Sequence, residues 1–311
     1  MKVVVSRTIP VLKRLGLGAL MVAIAAACEH AGPRPGKFDG ESALKYAKVQ
    51  VDFGPRIPGS PAAQRAGDWI IARMKERADT VIVQSWMQTL SDGRQLPLRN
   101  ILARFRPNAT DRVLYVTHWD TRPVSDEEPD PVKRKLPMPG ANDGASGVGL
   151  LVALGDALKK TPPAVGVDFL FVDGEDYGDF GQMTDVLMGS AYFAAHLPSP
   201  GYRPIFGILW DMIGDRDLQI KQEQNSVAQA PEVVRRVWDT AKDLGHDDVF
   251  VDQQTAYPIT DDHIPLLKVG LRVIDVIDLE YPYHHRPSDT IDKISAKSLS
   301  IVGDVAEALL R

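Results

Sequence analysis

At 311 residues the chain is far longer than one core needs and falls between one large domain and two ordinary ones. Its 44% apolar and 25% charged residues are the proportions of a soluble globular protein. The formal net charge of −5, with both signs mixed along the chain, offers no basic stripe and argues against nucleic acid as a partner.

The first residues are unlike the rest. Lys2, Arg7, Lys13 and Arg14 precede "LGLGALMVAIAAAC", a basic region followed by an apolar run too short to span a bilayer comfortably. Residues 1–28 therefore read as an export signal, which implies a periplasmic or outer-surface protein. Cys28, the sole cysteine, follows Ala26 and Ala27 and resembles the lipidated cysteine of bacterial lipoprotein signals. Ala25 departs from that pattern, which usually has leucine there, so lipidation, a soluble secreted product and a retained anchor all stay open. A lipid on Cys28 is the one membrane link expected. With no second cysteine, no disulfide can form within the chain, and stability must come from the core.

Residues 29–40, "EHAGPRPGKFDG", carry Pro and Gly without apolar period and read as a flexible tether. A single domain is expected over 41–311. In it, "GESALKYAKVQVDF" and "SPAAQRAGDWIIARMKERA" have helical spacing, and "TVIVQSW", "NILARF" and "RVLYVT" are short β-rich runs. The helical stretch "GVGLLVALGDALKK", the strand "VDFLFV", the helix "VLMGSAYFAAHL" and the strand "IFGILW" follow. "APEVVRRVWDTAKDL", "RVIDVI" and "AKSLSIVGDVAEALL" complete the alternation. This order predicts an α/β fold: a three-layer sandwich with a central mixed, largely parallel twisted sheet flanked by helices. One long irregular stretch, 121–142, contains Pro123, Pro129, Pro131, Pro137 and Pro139, and a loop of that length in a compact domain is usually functional.

In open α/β sheets ligands gather outside the carboxyl ends of strands. "RVLYVT" runs into His118, Trp119 and Asp120; "VDFLFV" runs into Asp173, Gly174, Glu175 and Asp176; "IFGILW" runs into Asp211. "RVIDVI" leads, one loop later, to His284 and His285, and the proline-rich loop delivers Asp143 to a helix start. Each has an ordinary explanation, since an Asp at a strand end or helix start is most often a turn former or cap. Coincidence argues otherwise: independent caps have no reason to put carboxylates and imidazoles at four strand ends and one helix start. That donor mixture suits zinc or another borderline divalent ion.

Two other motifs lose their apparent meaning in context. "GASGVG" follows a proline-rich loop, whereas a dinucleotide loop must follow a strand directly; its glycines instead let a helix start close to the site. No G-x-S-x-G elbow is present for a serine nucleophile.

"HWDTRP", "GANDGASGVG", "DGED", "WDMIGD" and "HHRPSDT", in this order, resemble the metal-binding segments of the M28 zinc aminopeptidase superfamily. "VDFGPRIPGS" and "TDDHIPLLKVG" resemble more narrowly its glutaminyl cyclase branch, of bacterial type. The likeness runs from about Leu44 to the C-terminus. It implies a zinc-exopeptidase-like fold, with Asp143, Asp176 and His285 as zinc ligands and Glu175 as general acid/base. His118 and Asp211 match a second metal position, bridged by Asp143, so one or two zinc ions are expected. Asp176 stands where glutamate is the more usual ligand; zinc accepts either carboxylate. His284, at a place where animal cyclases have a pocket tryptophan, is expected to line the pocket with Trp119 and Trp210.

The resemblance implies two activities acting on peptide or protein N-termini. A cyclase would close an N-terminal glutamine onto its own γ-carboxamide, with ammonia leaving; an aminopeptidase would use Glu175 to activate water. Asp261 separates them, because the cyclases keep an acid there that shares a short hydrogen bond with the residue at Asp211, and the aminopeptidases commonly have a small residue. Asp211 and Asp261 therefore join Glu175 as catalytic candidates, with Asp262 and His263 in an orienting role. An inactive binding module would have lost ligands or the glutamate, and none is missing.

Overall fold

The computed structural model describes residues 37–311. The expected export signal, Cys28 and residues 29–36 of the expected tether lie outside the described residues. The last tether residues are folded: Phe38 is buried, Asp304 accepts its amide, and Asp39 caps the helix that begins at Gly40. An aromatic ring cannot stay in water when a helix face next to it can cover it.

The strands are β1 (Thr80–Thr89), β2 (Gln95–Phe105), β3 (Arg112–His118), β4 (Gly166–Val172), β5 (Phe206–Asp211), β6 (Ile220–Gln222), β7 (Phe250–Gln254) and β8 (Val273–Ile277). The helices are α1 (Gly40–Asp52), α2 (Pro61–Lys75), α3 (Ala145–Lys160), α4 (Met188–Ala195), α5 (Gln224–Gln229), α6 (Pro231–Asp243), α7 (His263–Lys268) and α8 (Ala296–Ala308). Six strands form one sheet in the order β1-β2-β4-β3-β5-β8, and β6 and β7 form a small parallel pair. The β1–β2 and β2–β4 pairings are antiparallel, while β4, β3, β5 and β8 run parallel. Every expected strand and helix forms. The short β6, β7, α5 and α7 went unforeseen.

Every residue of β3, β4, β5 and β8 is buried, as strands covered on both faces must be. One face packs under α1, α2, α3, α6 and α8, where Phe169, Tyr115, Trp210 and Leu151 meet. The other face packs under α4 and α7 through Phe193, Tyr202 and Leu266. The outcome is the three-layer sandwich read from the sequence. All four parallel strands point their carboxyl ends the same way, toward the loops that carry the acids and histidines.

Candidate active site

β3 ends at His118 and β4 at Val172, so the segments after them leave the sheet side by side, with the Trp119 amide donating to the Val172 carbonyl. Asp120 ties the two together: its carboxylate oxygens accept the amides of Glu175 (3.2 Å) and Asp176 (3.1 Å). This fixes the backbone of the acid pair. Asp289 does the same for Asp143, taking the amides of Asn142 (2.9 Å) and Asp143 (3.2 Å) while accepting the Tyr281 hydroxyl at 2.6 Å. Buried Arg56 donates to the carbonyls of Trp119, Pro139 and Gly140, pinning the end of the proline-rich loop.

Gly144 starts α3 at φ +89, and a Cβ there would lie 2.9 Å from the Asp120 carbonyl and 3.2 Å from the His118 ring. At Gly147 a Cβ would meet Thr117 Oγ1 at 2.1 Å. Only glycine allows this approach, the role its sequence context indicated.

Two donor trios share Asp143, and a third set of close donors, Glu127, His284 and His285, lies toward the surface. Of the two trios, His118, Asp143 and Asp211 form one; Asp143, Asp176 and His285 form the other; in each, donor atoms lie within 4.8 Å of one another. His118 Nε2 is 3.0 Å from Asp143 Oδ1 and 3.1 Å from Asp211 Oδ1. His285 Nε2 is 3.5 Å from Asp176 Oδ1 and 3.8 Å from Asp143 Oδ2. All five residues are buried, as is Glu175, whose Oε2 sits 3.6 Å from His118 Nδ1. His285 holds a left-handed backbone, φ 51, a conformation that costs about 1–3 kcal/mol and persists where its surroundings enforce it. Met212, next to Asp211, does the same at φ 46.

The electrostatics show what the cluster lacks. Burial pushes Glu175 well above the usual carboxylate range, although His118 pulls the other way. Burial, reinforced by Asp143, pushes Asp176 up to about 7 against the pull of His285. Asp143 is also buried, but the hydrogen bond and charge of His118 hold it below the usual range. The two histidines oppose their own burial: Asp211 above all raises His118 well above its ordinary value, and Asp176 and Asp126 raise His285 to about 9. Carboxylates so close cannot all stay charged without a cation among them. Among the described residues, Asp176 Oδ2 is buried without a hydrogen-bond partner. Carboxylate and imidazole donors that converge with unspent lone pairs fit a zinc-type ion.

Other expected residues fall differently. Trp119 and Trp210 do not line this site. Successive strand side chains point to opposite faces, so Trp119 turns away from His118, and Trp210 turns away from Asp211 to meet the Tyr115 ring edge-on. Trp119 instead borders a cleft of about 650 Å³ between α2 and the β1–β2 hairpin, which contains none of the donors. His284 stays at the rim, its ring tilted 33° to that of His285 with centroids 3.8 Å apart, and lies within 3.7 Å of Glu127 Oε1; burial and the His285 charge lower it to about 3. Asp261 is buried close enough for Asp211 to raise its pKa well above the usual range, after burial itself. Among the described residues no hydrogen bond joins the pair. Asp261 Oδ1 takes the Asp262 amide, and Asp211 Oδ1 takes that of Met212 and faces His118. Asp262 opens α7 without a side-chain cap bond, and His263 Nε2 lies 3.3 Å from Glu223 Oε2. Asp289, Arg56 and Asp126 were not foreseen as site residues, and Asp120, noted at the end of β3, had no role assigned. Their position beside ligands in chain or loop is the only signal the sequence carries.

The family model described as Peptidase family M28 matches residues 100–310. The chain is 34% identical to a Zn-dependent exopeptidase from Parabacteroides distasonis, with a TM-score of 0.85 over 90% of this chain and 100% of that one. It is 35% identical to Porphyromonas gingivalis glutaminyl cyclase, with a TM-score of 0.85 over 89% of this chain and 99% of that one. Among curated proteins it is 29% identical to the alkaline phosphatase isozyme conversion protein of Escherichia coli over 48% of this chain, a match spanning 45% of that protein's length. The chain thus covers less than half of that relative.

Proposed function

The chain belongs to peptidase family M28, and from that premise we propose that it is a zinc-dependent glutaminyl-peptide cyclotransferase, which closes an N-terminal glutamine to pyroglutamate and releases ammonia. The observation that carries this reading is Asp261, a carboxyl buried near Asp211, where the aminopeptidase pattern has a small residue. The full-length likeness to a bacterial glutaminyl cyclase supports it.

In the reaction the α-amino nitrogen bonds to the γ-carboxamide carbon, the carbon–nitrogen bond of the amide breaks, and one proton must travel from the attacking to the departing nitrogen. Asp143, Asp176 and His285 would hold the zinc, which when bound supplies Lewis-acid polarisation of the γ-carbonyl. Glu175 takes the proton from the amine and returns it to the leaving nitrogen. Its buried setting, which raises its affinity for protons, suits a group that must both accept and release one near neutrality. Asp211 and Asp261 contribute a carboxyl pair on the other side of His118, suited to orienting the carboxamide nitrogen as it becomes ammonia. The buried cluster keeps competing water from the carbonyl.

A second reading, a zinc aminopeptidase, is favoured by the intact trio His118, Asp143 and Asp211, which would take a further ion. The test is ammonia release from a glutaminyl peptide by the zinc-loaded protein with and without Asp261. The cyclase reading expects release by the wild type and its loss in Asp261→Ala at unchanged zinc content. Trimming of a leucyl peptide, insensitive to Asp261, would assign the aminopeptidase. From the signal-like residues 1–28 we further propose that the enzyme acts outside the cytoplasm on exposed peptide or protein N-termini, tethered if Cys28 is acylated.

A further inference from the structure

Arg122 and Asp126 lie four residues apart in the proline-rich loop, outside any helix. The Arg122 fork closes on Asp126 through Nε to Oδ1 at 2.7 Å and Nη2 to Oδ2 at 2.8 Å, and its remaining nitrogen, Nη1, donates to Asp176 Oδ1 at 2.6 Å. One guanidinium thus bridges a half-exposed carboxylate and a fully buried one. Asp126 Oδ1 also faces His285 Nδ1 at 3.1 Å. The next amide along, that of Glu127, donates to the His285 carbonyl at 3.3 Å.

We propose that Asp126, held by Arg122, is the positioning residue of the metal centre. It accepts the Nδ1 proton of His285 and so presents the Nε2 lone pair to the ion, while Arg122 occupies one oxygen of Asp176 and leaves the other free. A neutral imidazole carries its proton on one nitrogen only, and the partner of that nitrogen decides which one binds metal. Among the described residues Asp126 is the carboxylate in contact with His285 Nδ1, whereas Asp143 and Asp176 both face Nε2. The grip on the His285 carbonyl holds the same residue in its left-handed backbone, so segment 122–127 fixes ring and main chain together. The role rests on Asp143, Asp176 and His285 binding the metal and is independent of the reaction catalysed.

The experiment titrates the zinc-depleted full chain with zinc against a competing chelator and records melting temperatures with and without the ion. Asp126→Ala is expected to weaken zinc binding about 10–100-fold and to lower the zinc-loaded melting temperature more than the zinc-free one, which falls only through the loss of buried Arg122's partner. Asp126→Asn, whose amide oxygen can still accept the Nδ1 proton, should recover most of the affinity. Asp68→Ala, which removes the exposed partner of Arg99 away from the site, should change nothing. Unaltered zinc affinity in Asp126→Ala, or an equal fall in the zinc-free and zinc-loaded melting temperatures, overturns the role. A His285→Ala variant that binds zinc as well as the wild type overturns the metal centre itself, a separate result.

Discussion

Two buried charge clusters sit at different places on the same sheet and are built on opposite principles. Inside β4, Asp168 is fully buried and fully answered: Arg104 Nε donates at 3.0 Å, Arg112 Nε at 2.8 Å and the Tyr202 hydroxyl at 2.8 Å. Beyond the carboxyl end of the same strand, Asp143, Glu175, Asp176, Asp211 and Asp261 crowd around two histidines, with Asp176 Oδ2 unpartnered among the described residues. Burial is equal in the two places, so burial alone does not mark function. What separates them is that both Asp168 oxygens have donors that tie β2 and the start of β3 to β4, although Arg112 Nη2 stays unpartnered among the described residues, whereas the second, open cluster concentrates carboxylates that suit a cation.

The largest effect should come from removing a ligand from the open cluster. His285→Ala is expected to lose stoichiometric zinc and bring turnover to background, while His284→Ala keeps the ion, as followed by metal analysis of the purified proteins; the reverse pattern would exchange the two histidines. Glu175→Gln keeps an isosteric side chain and should retain zinc while turnover falls roughly 10²–10⁴-fold; an active variant removes the proton-shuttle role.

The Asp168 cluster should respond in the opposite manner. Asp168→Ala leaves two arginines facing a buried gap and is expected to cost about 3–5 kcal/mol of unfolding free energy, measured by denaturant titration, with zinc affinity unchanged. Weakened zinc binding in that variant would mean the two clusters are coupled and the contrast false. The smallest effect expected is that of the ion on stability: zinc at about a hundred times its dissociation constant should add roughly 2.7 kcal/mol. That increment should be the same in Asp168→Ala and absent in His285→Ala.

Much of this was legible in the chain because a parallel sheet writes itself plainly. Strands buried on both faces are unbroken apolar runs, and the first polar residues after "RVLYVT", "VDFLFV" and "IFGILW" mark where each leaves the core. The donors at those ends needed no knowledge of pairing. Trp119 and Trp210 were expected as pocket walls from nearness in sequence; Trp210 lies in the core edge-on to Tyr115, on the face opposite its strand neighbour Asp211, and Trp119 borders the cleft beside α2. The hydrogen bond expected between Asp211 and Asp261 does not form among the described residues; it needs a proton shared by the two carboxyls, whose Oδ1 atoms take the Met212 and Asp262 amides. Asp120, Asp126 and Asp289 act across long sequence separations, which loop folding alone decides. The short α5 and α7 have six residues each, too few for an apolar period to register. Glu223, which caps α5 through the amides of Asn225 and Ser226, is also outside the favoured capping set.

The central claim is that the open cluster serves attack by the substrate's own amine and not by water. The direct measurement is mass spectrometry of the products formed from a glutaminyl peptide by the zinc-loaded protein in heavy-oxygen water. The account predicts a single product of unchanged residue count, lighter by one ammonia and free of heavy oxygen. A shortened peptide with a released leading residue carrying heavy oxygen in its new carboxyl group would contradict it and make the protein a hydrolase.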